Sequence, residues 1–374
     1  MSSIYLDNSA TTPVLPEVWE AMRACGAQPG NAASSHAHGR RARRALEDAR
    51  ERIAELLGAE PDEVIFTSGA TEANNLGLFG LSGPAPGAIV TSPIEHPCVL
   101  EPARRLAELG YRHVLLPVTR AGSVEPAEVD FPEDTRLACI MLANHETGAL
   151  QPVQALAQKL QDAPLHCDAA AAAGKIPISF RSLGVRSLTV SAHKFHGPQG
   201  IGALIMRRPG ALRPLLWGGH QQQGKRPGTE SAPLAVGMAV ALEWCLKHLE
   251  EHCRQVQHLR QTFLDSLHAH AAPVVVNSPA ESLPHVVSVA FPGCKADALM
   301  MNLDLAGVAC SAGSACSSGS LLPSHVLKAM AVETSILESS LRFSFSPLLR
   351  VKDTEEAAQI IALKAKDLRQ PTSP

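Results

Sequence analysis

The sequence predicts an α/β protein built on a mostly parallel sheet, with a second, smaller α+β region. Three observations predict it. Short apolar runs that read as strands alternate with stretches of helical spacing between about residues 64 and 206. Polar residues collect where those runs end, and open α/β sheets bind ligands at the carboxyl ends of their strands. Beyond about residue 250 the alternation gives way to short strands and then helices. The length, 374 residues, is too great for one small core and suits a large domain with a smaller one. We expect a large domain over 13–250 and a small one formed by 1–12 and 251–374.

The composition excludes several classes. The 33 basic and 36 acidic residues give a net charge of -3, so there is no basic footprint for nucleic acid. No apolar run reaches the length of a membrane span. Met1 to Leu6 lacks the basic-then-apolar pattern of a secretory signal. Nine cysteines, an odd number without a C-x-x-C pair, point to a reducing compartment, and a cytoplasmic location is expected. No cysteine spacing supports a zinc or other metal site.

Taken in order, Ile4 to Pro13 reads as a short strand running into a turn rich in Asn, Ser and Thr. Pro16 suits the first position of a helix. Ala42, Ala45, Leu46, Ala49, Ile53, Leu56 and Leu57 fall at helical spacing, with Gly58 as the stop. Val64 to Thr67 is a strand that runs through Ser68-Gly69-Ala70-Thr71 into a helix, the arrangement of a phosphate cup. The same residues would also serve as an ordinary turn with a threonine cap. Strands at Ala88 to Ser92, Leu137 to Leu142 and Leu165 to Cys167 end near His96, Asn144 and Asp168. Each of these polar residues alone suits a cap or a satisfied core group; their convergence at strand ends favours a site. Leu234 to about Leu267 has one continuous helical pattern, and Val286 to Phe291 reads as a strand.

Two stretches carry chemistry. Ser191-Ala192-His193-Lys194-Phe195-His196-Gly197-Pro198 sets a lysine in a tight connection between two strands that read as buried. Partial desolvation favours the neutral amine, which is the form that attacks a carbonyl. The second, Cys310 to Ser320, is made almost wholly of small residues and cannot build a core of its own. Cys316 in its Gly-Ser-Ala-Cys context suits a nucleophilic thiol on a mobile arm, whereas Cys310, nearer a strand, suits packing.

These stretches together resemble the NifS/IscS-like cysteine desulfurases of the class V branch of fold-type-I pyridoxal-phosphate enzymes. The motifs are F-T-S-G-A-T-E-A-N-N-L, S-A-H-K-F-H-G-P-Q-G-I-G-A-L, R-P-G-T-E, G-S-A-C-S-S-G-S-L-x-P-S-H-V-L and S-L-R-F-S, and they extend over nearly the whole chain. The resemblance implies a seven-stranded type of central sheet and pyridoxal 5'-phosphate held as a Schiff base on Lys194. It implies Asp168 against the pyridinium nitrogen and His96 stacked on the ring, able to move a proton. Ala70, Thr71, Ser191 and His193 would hold the phosphate, with Asn144 also near the cofactor. Thr229 would reach the phosphate of a second copy, so a homodimer is implied. Arg342 would pair with the carboxylate of L-cysteine. Cys316 would take the substrate sulfur as a persulfide, release alanine and pass the sulfur to an acceptor protein, for iron–sulfur cluster assembly or another sulfur transfer. Two positions depart from the family pattern: His145 stands where the family usually has Asn, and Ala171 where it usually has Gln. Selenocysteine or cystine lyase, aminotransferase of the same branch, and a partner-binding scaffold without turnover are the alternative readings.

Overall fold

The computed structural model describes residues 3–160, 162–208, 212–313 and 323–369. Its centre is a seven-stranded sheet. In chain order its strands are β2 (Val64–Thr67), β3 (Ala88–Thr91), β4 (Arg112–Leu115), β5 (Thr135–Met141), β6 (Leu165–Asp168), β7 (Ser187–Ser191) and β8 (Gly202–Met206). Their spatial order is β2-β8-β7-β6-β5-β3-β4. All neighbours pair in parallel except β8, which runs antiparallel to both β7 and β2. The strands β2, β3, β6, β7 and β8 are buried along their whole length. This explains the near-continuous apolar runs of β2, β3 and β8, which are covered on both faces; β6 and β7 alternate apolar with buried polar residues instead.

The remaining strands make two smaller sheets. In one, β1 (Ile4–Tyr5) pairs in parallel with β11 (Val308–Ala309). In the other, β10 (Val286–Ala290) lies between β9 (Val275–Val276) and β12 (Ser340–Ser344), antiparallel to both. One buried cluster gathers Leu46, Ile53, Val90, Ile140, Leu188 and Leu242 around the large sheet. A second gathers Ile4 and Leu6 with Leu259, Phe263, Val289, Phe343 and Ile361. The N-terminal segment thus packs with residues more than 250 positions away in sequence.

Two expectations from the sequence change here. The helical pattern read as continuous from Leu234 is two helices, Ala232–Lys247 and Leu249–His270, bent by 74°. Their apolar stripes serve different cores: Ala235, Met238 and Leu242 join the first, and Val256, Leu259 and Phe263 the second. His248, at φ -111° and ψ 17°, breaks the backbone without breaking the apolar period. After β6 the alanine run does not continue as a helix; residues 170–174 form turns ending at Gly174, whose φ of 72° favours glycine. No single helix among the described residues is long and apolar enough to cross a membrane.

Candidate active site

A cavity of about 600 Å³ opens where β2, β5, β6 and β7 end. Its volume is that of a site for a small cofactor with substrate. Ala70, Thr71, His96, Asp168, Ser191, His193, Lys194 and Arg342 all line it. Arg342 is far from all the others in sequence; the fold alone unites them, because β12 brings the second core against the ends of the large sheet.

Lys194 ends a short 3-10 turn, Ala192–Lys194, that follows β7 directly. Its Nζ donates to the carbonyl of Ser9 and, at 3.0 Å, to that of Ala10. The N-terminal Ser-Ala-Thr turn is thereby laid across the lysine. Thr12 fastens it: its backbone N–H and Oγ1 both donate to the His193 carbonyl at 2.9 Å, and its Oγ1 accepts from the His196 N–H at 2.7 Å. His196 is left-handed at φ 64°, and its Nδ1–H donates to the Pro13 carbonyl at 2.9 Å. This is the structural hydrogen bond that a histidine in such a turn can make.

Asp168 ends β6 and is buried. One carboxylate oxygen accepts from the Ala170 N–H at 2.9 Å and the other from Asn74 Nδ2 at 2.7 Å. Burial pushes its carboxyl upward, while those two donors and Lys194 oppose the rise. Behind it lies a relay that the sequence reading missed. Asn74 Oδ1 accepts from His166 Nε2 at 2.9 Å, and His166 Nδ1 meets Ser187 Oγ at 2.7 Å. Because Asn74 spends its amide protons toward Asp168, its oxygen faces His166, so His166 carries its proton on Nε2. Burial pushes the His166 imidazole down to about 3, which keeps it neutral. The available signal was the alternation of β6: His166 and Asp168 are two residues apart and share a face.

His96 caps the helix Pro97–Glu108 by accepting the Cys98 N–H on Nδ1 at 3.1 Å. That bond puts its proton on Nε2. Burial first, then the charge of Lys194, pushes His96 down to about 4. It meets His145 edge-on at 5.1 Å between ring centres. His145 and Ala171, the two departures from the family pattern, both lie on the cavity wall.

Ser191 and Gly69 form the other end of the cavity. Ser191 Oγ is buried and has no hydrogen-bond partner among the described residues. It lies 3.8 Å from where a Cβ on Gly69 would stand. Gly69 (φ 155°) immediately precedes the helix Ala70–Leu81, whose first N–H groups are unpaired within the helix. A Cβ on Gly202 would come within 2.9 Å of the Gly69 backbone, so this close approach needs glycine. An unpartnered hydroxyl, a helix N-terminus and Thr71 together make a fitting cradle for a phosphate. The donor set fits pyridoxal phosphate: a cradle at one end, a buried carboxylate at the other and a lysine on the same wall.

Arg342 is buried in β12. Alternation sends Leu341 and Phe343 into the second core and Arg342 the other way. Its Nη2 donates to Asp7 at 2.9 Å and its Nη1 to the His145 carbonyl at 3.2 Å, while Nε has no partner. Two of the expected residues do not meet the cavity. Asn144 is buried but uses its side chain within its own turn: Oδ1 accepts from the Glu146 and Thr147 N–H groups at 2.9 and 3.0 Å, and Nδ2 donates to the Ile94 carbonyl at 3.0 Å. A polar residue at a strand end was read as a ligand and is found shaping the turn. Thr229 is exposed and outside the cavity of its own chain. Cys316 lies outside the described residues. Cys310 packs beside the second core, and burial pushes its thiol up to about 12.

Residues 4–356 match the family model described as aminotransferase class-V. The cysteine desulfurase IscS of Dictyoglomus turgidum is 39% identical over 375 residues, covering 98% of this chain and 95% of that protein. The cysteine desulfurase NifS of Azotobacter vinelandii is 37% identical, covering 96% and 91%. Among solved structures, a NifS-like protein superposes with a TM-score of 0.90 at 35% identity over 96% of this chain and 98% of its own. The structure described as SspA in complex with cysteine superposes with a TM-score of 0.81 at 32% identity, over 92% of this chain and 99% of its own. With a family match over nearly the whole length and relatives of this identity, the chain belongs to the class-V aminotransferase family, among its IscS/NifS-type cysteine desulfurases.

Proposed function

We propose that the chain is a pyridoxal-phosphate-dependent cysteine desulfurase that converts L-cysteine to L-alanine and passes the sulfur to an acceptor. The observation that carries this reading is the convergence of Lys194, Asp168, His96 and Arg342 on one cavity in a chain of this family. Lys194 would carry the cofactor, Ser191, Thr71 and the Gly69–Ala70 turn its phosphate, and Asp168 its ring nitrogen. The cofactor supplies an electron sink for bonds broken next to the substrate's α-carbon.

The protein's own groups do the rest. Arg342 has an unpartnered Nε to offer a substrate carboxylate, and Asp7 and the His145 carbonyl fix its plane. His96, neutral with its proton on Nε2, would cover the cofactor ring and can donate at that atom. Asp168 is held in place by two hydrogen-bond donors, so it needs no rearrangement as charge develops opposite it. The Cys316 thiolate attacks the substrate sulfur; the S–S bond forms as the C–S bond breaks, and the carbon left behind is protonated. L-cysteine and the enzyme thiol give L-alanine and the enzyme persulfide, balanced in atoms and electrons.

The same proposal includes cytoplasmic location, a division into two domains at about residue 250, and a homodimer. The exposure of Thr229, away from its own cavity, supports the reading that it would serve a second copy. The test is direct. Purified protein reconstituted with pyridoxal phosphate is given L-cysteine, and alanine and sulfide are measured. Equal amounts of both, in the presence of a thiol reductant, are expected. A protein that takes up no cofactor, or takes it up and forms no alanine, contradicts the proposal.

A further inference from the structure

The turn that carries His145 has two working faces. His145 lines the cavity, while the next residue, Glu146, turns to another part of the chain. Glu146 is buried, and its Oε2 accepts from Ser324 Oγ. The same oxygen occupies the space beside Gly313: a Cβ there would fall 2.0 Å from it. Gly313 and Ser324 stand on either side of the segment whose sequence holds Cys316. Neighbouring contacts support the same arrangement. Ser311 and Arg342 exchange backbone hydrogen bonds of 3.2 and 2.6 Å, and His325 Nε2 donates to the Glu95 carbonyl at 2.9 Å. Ser324 Oγ also accepts from the Leu327 N–H at 3.0 Å, capping the helix His325–Ala329. The glutamate is itself held from behind, since its N–H donates to Asn144 Oδ1 at 2.9 Å.

We infer that Glu146 is a positioning residue: it clasps Gly313 and Ser324 together against the cavity wall and so fixes the two ends between which Cys316 is carried. The inference rests on the desulfurase reading for its kinetic consequence only. The clasp works through the acceptor oxygen of Glu146 and through its volume. Burial pushes the Glu146 carboxyl upward, which agrees with a role that needs no negative charge. Glu146→Gln keeps both shape and acceptor and is expected to behave as wild type. Glu146→Ala loses both. Gly313→Ala adds a methyl group where the carboxylate stands, so it should drive Glu146 off Ser324 and reproduce the alanine variant. In the Glu146→Ala background the space is free, and Gly313→Ala should add nothing, as coupled neighbours behave.

Two measurements test this. In the reconstituted enzyme, alanine formation from L-cysteine should fall at least about tenfold in kcat for Glu146→Ala and for Gly313→Ala, with KM within about twofold of wild type, because a misplaced reactant costs rate rather than affinity. In the cofactor-free protein, alkylation of Cys316 by iodoacetamide, followed by peptide mass spectrometry, should be at least about threefold faster in those two variants, since loosened ends open more often. Glu146→Gln should match wild type in both. An unchanged alkylation rate in Glu146→Ala overturns the clasp whether or not the chain is a desulfurase. Impairment of Glu146→Gln equal to that of Glu146→Ala overturns it as well, because charge would then be what matters. Absence of alanine from the wild-type enzyme, with the alkylation pattern as expected, overturns the desulfurase reading and leaves the clasp standing.

Discussion

The two walls of the cavity are built on different principles. The sheet wall, made by the ends of β2, β6 and β7, carries Asp168 and Ser191 at the ends of fully buried strands and Lys194 in the turn after β7. There Asp168 is held by Asn74, Asn74 by His166, and His166 by Ser187, while Ser191 Oγ, without a partner among the described residues, lies in the proposed phosphate cradle. The opposite wall comes from the second core and from turns. Arg342 is fixed through Asp7 and a backbone carbonyl, and its Nε, like His145 Nδ1, is left without a partner among the described residues. A satisfied network specifies one arrangement, whereas unpartnered buried polar atoms mark places where a ligand or a rearrangement can supply the missing bond. The difference suits a division of labour in which the sheet wall holds the cofactor and the other wall receives substrate and sulfur.

Substitutions can break this division. Lys194→Ala should have the largest effect, abolishing alanine formation and the cofactor's visible absorbance in the gel-filtered protein. Asp168→Ala should retain some cofactor but lose about a hundredfold or more in kcat, as removal of a preorganised charge partner does. Gly77→Ala tests the relay at a distance. A Cβ at Gly77 would stand 2.6 Å from His166 Cε1, so the ring must move and Asn74 with it. A loss of about tenfold in kcat is expected, with a shift in the cofactor's absorbance; an unchanged spectrum would show that Asp168 does not depend on the relay. On the other wall, His145→Asn, which introduces the residue usual in the family, should change kcat/KM by less than about fivefold, because its Nδ1 has no partner among the described residues and its Nε2 comes only within 3.8 Å of Glu146 Oε1.

Acid should destabilise the folded protein. The folded protein holds His166 at about 3 and His96 and His193 at about 4, against an ordinary value of 6.5. The unfolded chain therefore binds more protons between about 4 and 6.5. Stability is complete above about 6.5 and falls as the pH drops below it, by up to about 1.4 kcal/mol per pH unit for each group so buried. Denaturant midpoints measured between pH 7 and 5 should show this decline, and a flat profile would contradict neutral burial of these rings.

Much of the sheet wall was legible in the sequence. Apolar runs mark strands that are covered on both faces, and the polar residues Thr71, His96, Asp168 and His193 that follow strands fall at the site. The relay behind Asp168 was legible only in part: alternation puts His166 on the face of Asp168, but Asn74 and His166 meet across 92 positions and no periodicity encodes that contact. Asn144 looked like a ligand for the same reason that Asp168 did, and only the turn around it shows that its hydrogen bonds are already used. The bend at His248 was hidden because the apolar stripe passes through it unbroken while changing cores.

Transfer of sulfur from L-cysteine to Cys316 is read by peptide mass spectrometry of the reconstituted enzyme after a single turnover without reductant. One added sulfur atom on the peptide containing Cys316 and one equivalent of L-alanine are expected. Alanine formed with the sulfur on another cysteine, or with none retained, would contradict it.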